Sequence, residues 1–155
     1  MNRNFITTNV DKIIKDSSLE FPQNLALGSA WILAHYKGFN LKILDVRKLS
    51  SLADFFVMSS AENMIQANAM ADEVLFHMRR NKAKYCSKEG SLKSDWILID
   101  TGDIIVHIFQ DFARTNYDLD TIWKEAPQIE IPESYYFSPS VLSSPKASDS
   151  DQNYF

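Results

Sequence analysis

The chain has 155 residues, a length for one domain of ordinary size, and 45% hydrophobic against 23% charged side chains; no apolar run approaches the roughly 18 residues that cross a bilayer. A formal net charge of -4 excludes a broad basic surface for nucleic acid as the overall design. The single cysteine, Cys86, excludes an internal disulfide, and no His/Cys pair has metal-ligand spacing, so the composition reads as reducing cytoplasm without structural zinc.

Residues 1–22 interleave Arg3, Lys12 and Lys15 with Asp11, Asp16 and Glu20, hold no apolar h-region, and read as an N-terminal extension without an export or transit signal. Periodicity begins at Asn24, a candidate N-cap for a helix through Leu25, Leu27, Trp31, Ile32 and Tyr36, which Gly38 ends in the left-handed position. Residues 41–46 (LKILDV) and 54–59 (DFFVMS) are short β-rich runs. The step from Ser59 to Glu62 has capping-box spacing and opens a second helix, in which Met64, Ala67, Ala71, Val74 and Met78 recur on one face. Arg79, Arg80, Lys82 and Lys84 gather at its end, where cations complement the carbonyl dipole. A further strand around Tyr85 is compatible with the pattern.

The stretch DWILIDTGDIIVHIFQ, residues 95–110, reads as a hairpin about a Thr101-Gly102 turn. With those two residues as the loop, Asp100 faces Asp103 and Trp96 faces His107. One side is then aliphatic: Ile97, Ile99, Ile104, Val106 and Ile108. The other carries Trp96, Leu98, Asp100, Asp103, Ile105, His107 and Phe109. The aliphatic side is the expected core, and the mixed aromatic side looks made to be covered by something. Asp118 is a candidate N-cap for a last short helix, LDTIWKEA, with Pro127 just past its end. The final 30 residues, 126–155, hold four of the five prolines and seven serines, and from residue 128 onward the chain reads as a largely disordered acidic tail. The expected fold is thus α/β, a single mixed sheet of about five strands with flanking helices, in a domain spanning 23–127.

Catalytic signals are sparse. Two-metal nucleotidyl transfer needs carboxylates two apart on one strand face, but Asp45 is followed by Val46 and Arg47, and Asp54 by Phe55 and Phe56. Asp100 and Asp103 flank a turn, where turn formation outweighs cation binding. His107 has no nucleophile beside it and reads as a histidine on a contact surface. His35 and His77 sit on helices without a partner at ligand spacing. Cys86, close to Lys84 and Lys88, lacks a supporting triad, and four glycines form no phosphate loop. No cofactor or metal is expected. The basic run RRNKAKYCSK, residues 79–88, reads first as a solvated helix end and second as an auxiliary contact to RNA phosphate.

The segments LDVRKLSSLADFFVMSS, QANAMADEV, DWILIDTGDIIVHIF and NYDLDTIW, spaced as they are, resemble the ribosomal silencing factor family, also called the Iojap family, over residues 24–127. Two departures are Ala61 after the second strand, where many relatives carry glycine, and Gly28 inside the first helix. The resemblance implies a fold similar to nucleotidyltransferases without their active site. It implies a cytoplasmic, non-enzymatic translational repressor that binds the large ribosomal subunit through its universal protein fourteen and blocks the small subunit. The family's contact surface maps onto Trp96, Leu98, Asp100, His107 and Phe109, with Arg114 and Tyr117 beyond; the hairpin register points to the first five of these independently. An auxiliary ribosomal RNA contact by Arg79, Arg80, Lys82 and Lys84 and a homodimer of the free protein stay open at this point. The rival readings are a cryptic nucleotidyltransferase using Asp100 or Asp103 and a small RNA-binding module led by residues 79–88.

Overall fold

Alternation along the strands divides the apolar residues between the two faces of one sheet, and the helices settle which face is the deeper. A computed structural model describes residues 3–81, 83, 85–91 and 93–137. In chain order the elements are α1 (Arg3–Ile14), α2 (Gln23–His35), β1 (Phe39–Asp45), β2 (Phe55–Ala61), α3 (Met64–Arg80), β3 (Ser87–Glu89), β4 (Trp96–Asp100), β5 (Ile104–Gln110), α4 (Asp111–Tyr117), α5 (Leu119–Ile122) and β6 (Gln128–Ile129). A 3-10 turn, Glu133–Phe137, follows. The six strands form one sheet in the order β3-β4-β5-β2-β1-β6, mixed because β2 and β5 run parallel while the other neighbours are antiparallel. Among the described residues no helix is long and apolar enough to cross a membrane.

The helical face holds the larger core. From the sheet it takes Ile43, Phe55, Val57, Ile97, Ile99, Ile104, Val106 and Ile108, and from α2 and α3 it takes Leu25, Trp31, Ile32, Ala67, Ala71, Val74 and Met78. The expected stripe on α3 is therefore buried, except for Met64, which starts the helix and remains partly exposed. A second, smaller cluster lies on the opposite face: Leu44, Val46, Phe56, Met58, Ile105, Phe109 and Ala126, with Trp96, Leu98, Leu119 and Trp123 packed at its margin.

Several local expectations need correction. Residues 3–14, within the segment read as an N-terminal extension, form a helix that the sequence reading did not include: Ile6 and Val10 of α1 are fully buried, and Ile14 rests on Gly28, where a Cβ would stand 3.0 Å from its Cγ1. That close approach accounts for a glycine inside α2. Asn24 does not cap α2, since it lies within the helix and its amide donates to the Ile14 carbonyl oxygen at 2.8 Å, tying α1 to α2. The helix ends in a Schellman arrangement, with the Gly38 N–H donating to Leu33 O at 2.8 Å and the Lys37 N–H to Ala34 O at 2.9 Å. Lys37, with φ 67°, takes the left-handed position. Gly38 is required by packing instead, because a Cβ there would collide with the Ser59 hydroxyl and approach Leu33 O to 2.9 Å.

The capping signal of α3 is displaced. Ser59 and Ser60 are buried in β2, and Asn63 is the N-cap, its side chain accepting from Gln66 N at 2.8 Å while the Gln66 side chain accepts from Glu62 N at 2.7 Å. The strand near Tyr85 begins later, at Ser87. The expected last helix starts after Asp118 as read but is shorter, α5 over Leu119–Ile122, and the Asp118 side chain makes no capping hydrogen bond. A preceding helix that the sequence reading did not include, α4, ends at the same residue, whose φ of 53° separates the two. The ordered chain also extends past Pro127: Gln128 and Ile129 pair with Leu44 and Ile43, and Tyr135 packs on the larger core. Residues 138–155, the rest of the expected tail, lie outside the described residues.

The hairpin register differs by two residues. Trp96 pairs with Phe109, Leu98 with His107 and Asp100 with Ile105, which moves the two-residue loop to Gly102-Asp103. Thr101 N donates to Ile104 O at 3.0 Å, the Thr101 hydroxyl accepts from Ile104 N at 3.0 Å, and Gly102 supplies the positive φ of 87° that such a turn favours. A shift by an even number preserves the side-chain parity of both strands. The aliphatic and aromatic faces therefore sort as the sequence implies, and only Asp103 leaves its strand for the turn.

Candidate functional site

The aromatic face is built from alternate residues of adjacent strands. Trp96 and Leu98 on β4 stand beside His107 and Phe109 on β5; Phe56 and Met58 on β2 continue the same face in parallel register, opposite Ile105 and His107. The Trp96 indole stacks on Phe109 with ring centroids 5.1 Å apart and 26° between planes, and Tyr117 from α4 closes on it at 4.7 Å. Phe56 meets His107 edge-on at 5.0 Å and Trp123 edge-on at 5.1 Å. These offset and edge contacts are the arrangements that aromatic quadrupoles favour.

Polar atoms in the cluster are largely satisfied internally. The Trp96 indole N–H donates to His107 Nδ1 at 3.2 Å, and the Tyr117 hydroxyl donates to Asp95 Oδ1 at 3.2 Å. Burial, helped by the nearby charge of Arg114, pushes the His107 imidazole down to about 4, so it is neutral at neutral pH. Arg114 grips Asp120 with two hydrogen bonds, 2.8 and 3.1 Å, and donates to Ser60 Oγ at 3.0 Å; Lys42 adds an ion pair to Asp120 at 2.7 Å. The Arg114 hydrogen bond, more than the Lys42 one, holds the Asp120 carboxyl down to about 2 against the opposing effect of burial.

The seven residues expected to form a contact surface thus divide by exposure. Trp96, Leu98 and Asp100 are half-buried and Tyr117 is 42% exposed, whereas His107 is 4%, Arg114 7% and Phe109 0% exposed. Phe109 and His107 form the floor beneath Trp96. Arg114 fastens α4 and α5 to β2. Asp100 accepts from Gly102 N at 2.8 Å, which assigns its side chain to the turn. Sequence reading missed Phe56 and Trp123; extending period-two alternation to β2 would have found the first, but Trp123 reaches the face only through the chain reversal at Asp118. The two short helices also leave Phe112 and Ile122 more than half exposed.

Other candidate chemistry does not assemble here. Asp45 is paired with Arg47 at 2.6 Å, and the Asp103 carbonyl accepts from Asp54 N at 2.8 Å. Among the described residues no three His, Cys, Asp or Glu side chains could hold a metal ion. Burial raises the Cys86 thiol rather than activating it. Arg79 and Arg80 are exposed at the end of α3, which packs on the opposite face of the sheet, and Arg80 is paired with Asp11; Lys82 and Lys84 lie outside the described residues.

Residues 20–154 match the family described as ribosomal silencing factor during starvation. The chain is 34% identical over 87 residues to the ribosomal silencing factor RsfS of Haemophilus influenzae, covering 56% of this chain and 85% of that one. It is 32% identical over 112 residues to the chloroplastic protein Iojap of Zea mays, covering 70% of this chain and 47% of that one. It is 26% identical over 84 residues to the mitochondrial assembly of ribosomal large subunit protein 1 of Mus musculus, covering 52% and 37%. The crystal structure of protein CV0518 from Chromobacterium violaceum is similar with a TM-score of 0.63 and 25% identity, across 77% of this chain and all of that one. A mixed six-stranded sheet with an aromatic face and a family match over most of its length lead to one assignment: the chain belongs to the ribosomal silencing factor family.

Proposed function

We propose that this protein is a translational repressor that binds the large ribosomal subunit through its universal protein fourteen and keeps the small subunit from joining. The observation that carries the reading is the Trp96–Tyr117 pair, two partly exposed rings held on a rigid floor of buried Phe109 and His107. Ordered aromatic rings bring large contact area at little entropic cost, which is why they dominate interface energetics. Asp95 adjoins them, and Asp100 and Asp103 add negative charge at the turn end of the same hairpin, which suits a basic partner and steers its approach. The family description and the name of the mouse relative support a ribosomal, large-subunit partner.

Repression on this reading is occupancy: a docked domain of this size fills space that the small subunit must enter, and no bond is made or broken. The effect is stoichiometric and reverses on dissociation. Sucrose-gradient fractions of lysate, probed for the protein, test it. The protein is expected with free large subunits and absent from joined ribosomes; equal abundance on both would refute steric exclusion.

A further inference from the structure

We propose that His107 is the positioning residue of the docking face, holding the Trp96 indole in its binding orientation through a hydrogen bond from the indole N–H to Nδ1. The inference rests on the docking reading for its functional consequence, while its structural half stands on the free protein alone.

His107 is an unusual residue to place in a β-sheet floor. It is 4% exposed, and its Nε2 is buried without a hydrogen-bond partner among the described residues. A buried imidazole atom left unsatisfied is costly, so retaining histidine here needs an offsetting gain. The gain is at the other nitrogen. Because Nδ1 accepts from Trp96 Nε1 at 3.2 Å, the ring proton must sit on Nε2, which fixes the neutral tautomer. The ring itself is immobilised by Phe56 edge-on at 5.0 Å and by Phe109, nearly coplanar in orientation at 10° with centroids 6.2 Å apart. A fixed acceptor therefore meets a ring that would otherwise have two ways to lie against Phe109, related by a flip that exchanges its N–H edge for a carbon edge.

Two consequences follow for the partner. With its only polar atom consumed inside the protein, Trp96 offers carbon surface alone, and the Tyr117 hydroxyl hydrogen is likewise committed to Asp95. The partner group seated on the pair is thus hydrocarbon or a cation lying on the ring faces, not a hydrogen-bond acceptor for the indole. Acid cannot regulate the lock near neutral pH, since burial and Arg114 keep the imidazole uncharged down to about 4.

The test uses full-length protein with ¹⁵N-labelled tryptophan and two substitutions. His107→Phe keeps a ring but removes the acceptor; His107→Asn presents an amide oxygen close to the position of Nδ1. In free protein, His107→Phe is expected to move the Trp96 indole N–H resonance upfield and speed its exchange with water, while His107→Asn leaves it near the parent position. In pelleting assays with purified large ribosomal subunits, His107→Phe is expected to bind at least tenfold more weakly and His107→Asn within about threefold of the parent. An unchanged indole signal in His107→Phe, or a solvent-like one in His107→Asn, overturns the lock whatever the subunits do. A displaced indole signal with parent-like binding overturns the functional half. If the parent protein itself fails to pellet with large subunits, the docking reading fails instead, and the indole signals still decide the lock. Should His107→Phe not fold, the Asn variant alone carries the decision.

Discussion

At the scale of single residues, the hairpin places opposite consequences on neighbours in one strand. Ile97 and Ile99 are fully buried beneath α3, and Trp96 and Leu98 lie at the partly exposed margin of the opposite face. Truncating Ile99 to Ala removes buried methylenes and leaves a cavity, at a cost of about 2–5 kcal/mol, a large fraction of the stability of a domain this size. Trp96→Ala removes a half-exposed ring whose stacking on Phe109 and Tyr117 contributes about 1 kcal/mol. The expected result in paired thermal melts and large-subunit binding assays is that Ile99→Ala melts far earlier than Trp96→Ala. Trp96→Ala in turn loses ~2 kcal/mol or more of affinity, about thirtyfold, while staying folded. The reverse order of melting would remove the face assignment.

At the scale of elements, α1 is attached to the body by apolar burial and by one charged hub. The Glu73 carboxylate, 5% exposed, accepts from Arg3 at 2.6 and 3.2 Å and from His77 Nε2 at 2.8 Å; Arg3 also lies over the Phe76 ring at 4.0 Å. Under α1, His35 is stacked on Trp31 at 4.9 Å and flanked by Phe5, with neither ring nitrogen satisfied among the described residues. Burial pushes both imidazoles below their ordinary value of 6.5, reinforced at His35 by Lys37, whereas at His77 the Glu73 hydrogen bond opposes it. Burial raises Glu73, but the hydrogen bonds from Arg3 and His77 outweigh it, so its carboxyl is held below the usual range.

All three shifts have the same sign for stability. Each group binds its proton more weakly when folded, so its contribution is complete above its unfolded value and is lost as pH falls toward its folded one. His107, lowered to about 4, adds to the effect. The melting temperature is therefore expected to be flat above about pH 7 and to fall continuously from about 6.5 downward, before most carboxylates titrate. His35→Phe should flatten the upper part of that fall. A melting temperature that rose on acidification to pH 5 would show that these histidines are not held neutral in the folded protein.

At the scale of the whole molecule, the sheet carries a large helix-covered core on one side and a smaller buried cluster on the other, whose margin at Trp96 and Leu98 stays partly exposed. The ordered chain closes the far edge with β6 and the 3-10 turn, which set Ile129, Ile131 and Tyr135 against the core. Two truncations separate this closure from the Pro-, Ser- and Asp-rich residues beyond it. Ending the chain after Phe137 is expected to leave the melting temperature and large-subunit binding unchanged, apart from a modest change in association rate when negative charge is removed. Ending it after Pro127 exposes the β1 edge and the Tyr135 site, and is expected to cost about 2 kcal/mol, several degrees of melting temperature. Equal melting of the two truncations would show that residues 128–137 contribute nothing to the fold.

Much of this was legible in the sequence because it depends on local periodicity. Alternation alone separated Ile97, Ile99, Ile104, Val106 and Ile108 from Trp96, Leu98, His107 and Phe109, and it survived a wrong loop position because a slip of two residues preserves which way each side chain points. The α3 stripe was readable for the same reason, as was the likeness to the ribosomal silencing factor family carried by the spaced segments. What tertiary structure decided depends on partners distant in the chain. Helix α1 is held by Gly28 and Glu73, and β6 is a strand only because β1 offers an unpaired edge. Phe109, an anchor by composition, becomes the floor of the face because Trp96 and Tyr117 close over it. A local pattern specifies which side of an element is apolar; only the arrival of another element determines whether that side is buried within the protein or left for a partner.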